Sequence, residues 1–226
     1  AGILATTEWN AGAVSLSPSV INPASRVMIT KGSSDGVAFQ YANLTTAQKT
    51  FIDKNAAGTI DNCGVERIAY LRGTATQENS AGTFTCASST AINKFRVRST
   101  SILGDIVNSG PMFVGKPSAG FSDVDHSGYA AFKNNYKDRL PMIYVGANDG
   151  ILHGFNACIV GVTPGCTTAD AGKELLAYVP SHVYSNLSRL TDKDYTPVLP
   201  ILPMALRLWG VFIPIGPPAG GRYWGG

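Results

Sequence analysis

The stretch IYVGANDGILHGFNA, residues 143–157, constrains the fold more than any other part of the chain. Two apolar runs flank residues 148–150, where Asn, Asp and Gly favour the tight turns of β-hairpins. The pattern predicts a two-residue type I′ turn at Asp149-Gly150, with Tyr144 facing Phe155 across the strands. Such an aromatic pair contributes roughly 0.2–1 kcal/mol relative to Ala–Ala. Because residues 142–145 show no polar alternation, we expect this strand to be covered on both faces. The residues expected to shape the turn are Gly146, Asn148, Asp149 and Gly150.

Further strand-like segments flank this hairpin on both sides. Together they predict four strands in meander order, at 106–115, 142–148, 151–157 and 174–179. A four-stranded antiparallel unit of this kind is typical of a β-propeller blade, and a hairpin-rich sandwich is the alternative. One blade cannot bury its faces alone, because repeat architectures need neighbouring units.

The segment before residue 100 predicts a mixture of strands and helices. Residues 26–30 and 37–41 read as strands around a turn. One short helix is expected from an N-cap at Thr45 or Thr46 to Gly58, and a second ends at Gly73. Later in the chain, residues 181–192 predict a short helix capped by Ser181, whose apolar face of Val183, Leu187 and Leu190 is expected in the core.

These elements define the predicted fold class. We expect a mainly β protein with short helices, in which a partial β-propeller of about one antiparallel four-stranded blade follows an α/β segment. The domain boundaries predicted are 1–100 for the leading segment, 101–195 for the blade region and 196–226 for an atypical tail.

The charge content excludes one large class of function. Charged residues make up 15% of the chain, below the usual quarter. The net charge is +3, and the basic residues are scattered without a run or a helix face, so we expect no nucleic-acid partner.

Four cysteines indicate the compartment. Cys63, Cys86, Cys158 and Cys166 fall into two local pairs without C-x-x-C spacing, and only three histidines are present, so a zinc site is not expected. Three disulfide connectivities are possible, of which Cys63–Cys86 with Cys158–Cys166 is the simplest; buried thiols in a cytosolic protein are the alternative. Disulfides indicate an oxidising compartment, the periplasm or the cell exterior. The chain begins at Ala1 without a charged region before an apolar stretch, so we expect a mature protein or a fragment.

Residues 196–226 differ in composition from the rest of the chain. With Tyr195 they hold six of the thirteen prolines and two of the three tryptophans, and they hold no acidic residue. Arg207 and the prolines interrupt the apolar run, so we expect no membrane span. Pro203 to Arg207, read two bases along, can encode Asp-Gly-Ser-Pro, which suggests an out-of-frame reading of the gene.

Two segments are candidates for chemistry. Asp123, Asp125, Ser127 and the Tyr129 carbonyl have the spacing of a calcium loop, but Asn134 stands where a bidentate carboxylate is needed, and an Asx-turn loop explains the same residues. The sequence GSSDG at 32–36 places Ser34 in the nucleophile position of a serine hydrolase, whose elbow must lead into a helix. A hairpin turn is the simpler interpretation of that sequence.

Three long segments resemble one known family. FRVRSTSILGDIVNSGPMFVG, then YAAFKNNYKDRLPMIYVGANDGILHGFNA, then GKELLAYVPSHVYSNLSRLTDKDY are similar to the C-terminal β-propeller region of the PilY/PilC family of type IV pilus assembly proteins and tip adhesins. The resemblance covers roughly residues 8–195. The hairpin is also similar to a quinoprotein-type blade, with Tyr178 where those blades carry Trp, but a blade pattern describes a fold and not a ligand.

The resemblance implies a function. It implies an exported, non-enzymatic component that supports pilus assembly and adhesion, located in the periplasm, at the cell surface or at the pilus tip. Its partners would be pilin subunits or a host or abiotic surface. The family binds calcium in its propeller region, in a loop expected beyond the matched segment. A secreted esterase using Ser34 and a calcium-binding β module are the alternatives.

Overall fold

The computed structural model describes residues 7–107 and 109–195. Its strands are β1 Met28–Lys31, β2 Gly36–Ala38, β3 Thr83–Thr85, β4 Ala91–Asn93, β5 Met112–Val114, β6 Met142–Gly146, β7 Leu152–Asn156 and β8 Glu174–Val179. Its α-helices are α1 Ala11–Val14, α2 Thr46–Ile52, α3 Gly64–Arg72, α4 Tyr129–Asn135 and α5 Tyr184–Leu187, and its 3-10 helices are Tyr41–Asn43, Ser181–Val183 and Ser188–Thr191. The predicted fold class, mainly β with short helices, is confirmed. The predictions for residues 196–226 lie outside the described residues.

A six-stranded open sheet in the order β2-β1-β8-β7-β6-β5 organises the molecule. Strands β5 to β8 form the predicted antiparallel meander, which we call the blade. Strand β1 then adds in parallel to β8, and β2 pairs antiparallel with β1. The sequence predicted β1 and β2 but not their partner. The sheet thus crosses residue 100, and the domain boundary there stays a prediction.

The hairpin register differs from the prediction by one residue. Gly146 pairs with Leu152 and Tyr144 with Gly154, so Tyr144 does not face Phe155. The turn has three residues, 148–150: the Gly150 N–H donates to the Ala147 carbonyl, and Gly150 has φ 80°. A type I′ turn also needs a positive φ at the preceding residue, which is not found there.

Contacts from a distant segment explain this register. The Asn148 N–H donates to the Asp105 carbonyl at 2.9 Å, and the Gly104 N–H donates to Asp149 Oδ2 at 3.0 Å. The turn is therefore hydrogen-bonded to residues 104–105 instead of closing in the two-residue form. As a consequence, the Tyr144 ring lies against Gly154, where an added Cβ would be 3.0 Å from Tyr144 Cε1.

The core covers one face of the sheet. Val145 and Phe155 pack with Leu16 and Ile102. The remaining core joins the sheet to the helices and contains Met28, Phe39, Leu44, Ile52, Ile68, Tyr70, Leu71, Phe95, Ile151, Ala177, Val179, Val183, Tyr184, Leu187 and Leu190. On the other face, Tyr144, Leu152, Leu176 and Tyr178 are only half-buried. The expected coverage of β6 on both faces is therefore wrong for Tyr144, whose side of the sheet stays partly exposed within the described residues.

The helix predictions are confirmed at some ends and wrong at others. Thr45 is the N-cap of α2 and forms a capping box with Gln48, but α2 ends at Ile52 and not at Gly58. Helix α3 ends at Gly73 with φ 113°, as predicted. Ser181 does not cap a helix, because it already lies inside a 3-10 turn that follows Pro180. Among the described residues, no helix reaches the length and apolarity that a membrane span requires.

Candidate functional site

Four ionisable side chains from separate elements meet next to the turn of the blade hairpin. We call Arg26, Asp149, His153 and Glu174 the charge cluster. His153 on β7 is 0% exposed; its Nδ1 lies 2.7 Å from Glu174 Oε1, and its Nε2 lies 3.1 Å from Asp149 Oδ2. Arg26 donates through Nε and Nη2 to the two oxygens of Glu174, at 2.7 and 2.9 Å. Asp149 also accepts the Ile151 N–H.

The carboxylates decide the protonation of the charge cluster. Burial by itself would lower the pKa of His153, but Asp149 and Glu174 raise it to about 9. Burial would raise the pKa of Glu174, but hydrogen bonds from His153 and Arg26 lower it to about 2. At neutral pH two cations therefore face two anions. A histidine held in its charged form between two carboxylates is suited to a structural role and not to that of a general base.

The charge cluster connects the blade to the segment before it. Arg26 Nη1 donates to the carbonyls of Leu71 and Arg72 at the end of α3, where cations are favoured. The Arg72 guanidinium in turn donates to the carbonyls of Pro23 and Arg26. One chain of charge-assisted hydrogen bonds thus links the hairpin turn to β7, to β8, to the residues before β1 and to α3.

The N-terminal segment adds a second attachment to the blade. The Trp9 ring lies 6.4 Å from the Phe155 ring, and an added Cβ at Gly172 would be 2.7 Å from Trp9. The Ser15 hydroxyl accepts the Glu174 N–H at 3.2 Å. Residues before β1 therefore pack directly on the blade.

Both predicted disulfides are present in the local pairing. Cys63–Cys86 joins the start of α3 to the end of β3, and Cys158–Cys166 closes residues 158–166 between β7 and β8. We call residues 158–166 the disulfide loop. Val160 and Val162 are 45% and 74% exposed in it. The Cys63 and Cys86 sulfurs also lie near a Glu66 carboxylate oxygen, but sulfurs in a disulfide are not thiolate ligands.

Ser34 lies in the turn between β1 and β2, as the hairpin interpretation predicts. Its hydroxyl is exposed and hydrogen-bonded to the neighbouring Asp35. Strand β2 follows directly at Gly36, whereas the elbow of a serine hydrolase continues as a helix. The geometry that would activate this serine is therefore not formed.

The calcium-loop residues have local partners. Asp123 Oδ1 accepts the Ala130 N–H at 2.7 Å, in the first turn of α4, and Asp125 Oδ2 accepts the Ser122 hydroxyl at 2.8 Å. Ser127 is exposed, Tyr129 already belongs to α4, and α4 includes Asn134. Both carboxylates thus already accept hydrogen bonds from neighbouring residues, and calcium binding here stays a prediction.

The sequence pattern did not identify the partners of His153. Glu174 is 148 residues from Arg26, and no local pattern links them. The one available signal was that an ionisable residue in an apolar strand needs a partner when it is buried.

Comparison with known proteins identifies the blade. Residues 103–197 match the family model described as the PilY1 beta-propeller domain. A type IV pilus biogenesis factor PilY1 homolog of Xylella fastidiosa is 37% identical over 163 residues, which cover 69% of this chain and 11% of the relative. Type IV pilus biogenesis factor PilY1 of Pseudomonas aeruginosa strain PAK is 34% identical over 175 residues, covering 75% of this chain and 13% of the relative. The PilY1 of strain UCBPP-PA14 is 31% identical over 205 residues, covering 86% and 15%. No solved structure matches the chain.

The chain spans only 11% to 15% of the length of these relatives. The match covers the blade, and the relatives align over most of the chain including the segment before it. The sheet order observed for residues 112–179 is that of a propeller blade. This chain belongs to the PilY1 family of type IV pilus biogenesis factors and carries part of the family's β-propeller domain.

Proposed function

We propose that this chain is part of an exported, non-catalytic protein that supports type IV pilus assembly and adhesion. Its place would be the periplasm, the cell surface or the pilus tip. Membership of the PilY1 family is the observation that carries the proposal. The two disulfides support the export, because such bonds persist in oxidising compartments.

The blade supplies a rigid mount for a contact surface. The charge cluster and the Trp9 contact both attach it to the preceding segment. Binding loops are most effective on a rigid scaffold, because less conformational entropy is lost when a partner is bound.

The disulfide loop is the contact surface that we favour. Residues 157–169 contain no charged residue, and Val162 is 74% exposed. The Cys158–Cys166 bond restricts this loop before any partner arrives. A pilin subunit or an apolar patch of a host or abiotic surface would be the partner.

The test is deletion of the gene in the source bacterium and complementation with variants. We expect deletion to lower both the pilin recovered by shearing and the attachment of cells to a surface. Val162→Asp should restore pili but not attachment. Val124→Asp is the matched control, since Val124 is 93% exposed on a different loop, and it should restore both.

Two outcomes would contradict the proposal. A deletion strain with unchanged pili and attachment refutes the role in pilus assembly and adhesion. Normal attachment of the Val162→Asp strain would refute the disulfide loop as the contact while leaving the role in assembly intact.

A further inference from the structure

A cavity lies between the segment before the blade and the residues that follow the last 3-10 helix. Its volume is about 360 Å³, within the range of small-molecule sites. Its walls are residues 55–57, the β3–β4 hairpin and residues 191–193, and Phe95, Asp61 and Arg67 also line it. The pilus role proposed above does not use this cavity.

The base of the cavity is preformed. Arg67 is 1% exposed and donates through Nη1 and Nη2 to the two oxygens of Asp61, at 2.6 and 2.5 Å. The Cys63 N–H donates to the same carboxylate, and Cys63 is fixed by its disulfide to Cys86. Little conformational entropy is therefore lost at this base when a ligand binds.

The charges that line the cavity balance. Arg67 is neutralised by Asp61, and Lys193 lies 3.0 Å from Asp194. This leaves one cation, Lys94, and one anion, Asp192. A ligand with net charge gains nothing from such a lining, whereas a neutral ligand with both donors and acceptors can use both groups.

Unused hydrogen-bonding groups stand at the rim. Thr83 and Asn93 are directly opposite each other on the exposed side of the β3–β4 hairpin. Neither side chain has a hydrogen-bond partner within the described residues. Asn55 uses its Oδ1 to accept the Ala57 and Thr59 N–H groups, which leaves its amide N–H groups as donors. Apolar groups of the wall come from residues 56–57 and 92.

We propose that this cavity binds a neutral saccharide. Hydroxyl groups of a sugar ring match the hydroxyl, amide, ammonium and carboxylate groups of the rim, because each hydroxyl both donates and accepts. The C–H face of the ring would lie on the apolar part of the wall. The site is separate from the disulfide loop, so the two can be tested independently.

Isothermal titration calorimetry of the whole chain tests the proposal. The probes are glucose, galactose, mannose and N-acetylglucosamine, with glucuronate and glucosamine as charged counterparts. We expect saturable binding of at least one neutral sugar and weaker binding of its charged counterpart. The double variant Thr83→Ala/Asn93→Ala removes two hydrogen bonds and should weaken binding about tenfold.

Thr85→Ala is the matched control, since Thr85 is an exposed threonine of the same strand that does not line the cavity. It should bind like the parent chain, and circular dichroism should show that all variants fold. Absence of binding by every neutral sugar overturns the proposal, as does equal affinity of the double variant. Tighter binding of glucuronate or glucosamine would overturn the argument from charge balance.

Discussion

Removing the charge of His153 gives the sharpest test of the charge cluster. His153 is fully buried between Asp149 and Glu174, and His153→Gln keeps a hydrogen-bonding side chain but not the positive charge. The rise in pKa of His153 from 6.5 to about 9, at 1.36 kcal/mol per pKa unit, corresponds to about 3 kcal/mol favouring the folded state. Breaking a buried ion pair costs roughly 3–5 kcal/mol, so this value agrees with the one obtained from the pKa shift. The lowered pKa of Glu174 reflects the same ion pair with His153, so no further free energy is added for it.

The pH dependence gives a second and independent readout. Because the folded pKa of His153 lies above the unfolded one, its stabilisation is complete below pH 6.5 and is lost as the pH rises through about 9. The pKa of Glu174, lowered from 4.5 to about 2, gives stabilisation that is complete above pH 4.5 and is lost as the pH falls through about 2. Between pH 4.5 and 6.5 the charge cluster is therefore at full strength.

The assay is urea unfolding of the parent chain, His153→Gln and His182→Gln at pH 6 and at pH 9.5. We expect His153→Gln to lower the free energy of unfolding by about 3 kcal/mol at pH 6 and by much less at pH 9.5. His182 is exposed, so His182→Gln should stay within about 0.5 kcal/mol of the parent. A loss from His153→Gln that is the same at both pH values would refute the reasoning, because it would reflect packing and not charge.

Three further predictions concern single positions and crosslinks. Gly104→Ala should destabilise the chain by about 1–3 kcal/mol, because the added Cβ would overlap the backbone nitrogen of Asp149. Gly110→Ala is the control and should be near neutral, since an added Cβ there meets no atom within 4 Å. Equal melting temperatures of the two variants would contradict this prediction. Replacing the two cysteines of one disulfide by serine should lower the free energy of unfolding by about 3.5 kcal/mol for Cys63–Cys86 and by about 2.5 kcal/mol for Cys158–Cys166, because their sequence separations are 23 and 8. Chemical unfolding that ranks the two losses in the opposite order would refute the loop-closure argument. Ser34→Ala should leave p-nitrophenyl acetate hydrolysis at the level of the parent chain, and a loss of turnover would restore the esterase hypothesis.

Much of the local structure followed from the sequence because its causes are local. The Thr45 cap with Gln48 three residues on, and the left-handed Gly73 at the end of α3, depend on neighbours within one helical turn. The strands of the blade depend on apolar runs broken by turn residues. Val183 and Leu187 were expected in the core and are buried there.

The helix ends that were predicted wrongly had competing local signals. Gly58 does have a positive φ of 86°, but it shapes the turn after α2, which had already ended with Asp53 as its C-cap. A glycine indicates that the backbone can adopt a left-handed conformation there, but it does not show whether a helix ends at that position.

The sequence by itself determined the strands of the blade and the family to which the chain belongs, and it favoured the local pairing that both disulfides adopt. The tertiary structure alone decided the hairpin register, the parallel addition of β1 to β8, and the partners of His153. The physical reason is distance along the chain: Gly104 and Asp105 select the turn, and Arg26 reaches Glu174 across 148 residues. Such contacts depend on the folded arrangement of whole elements, and a pattern of neighbouring residues does not predict them.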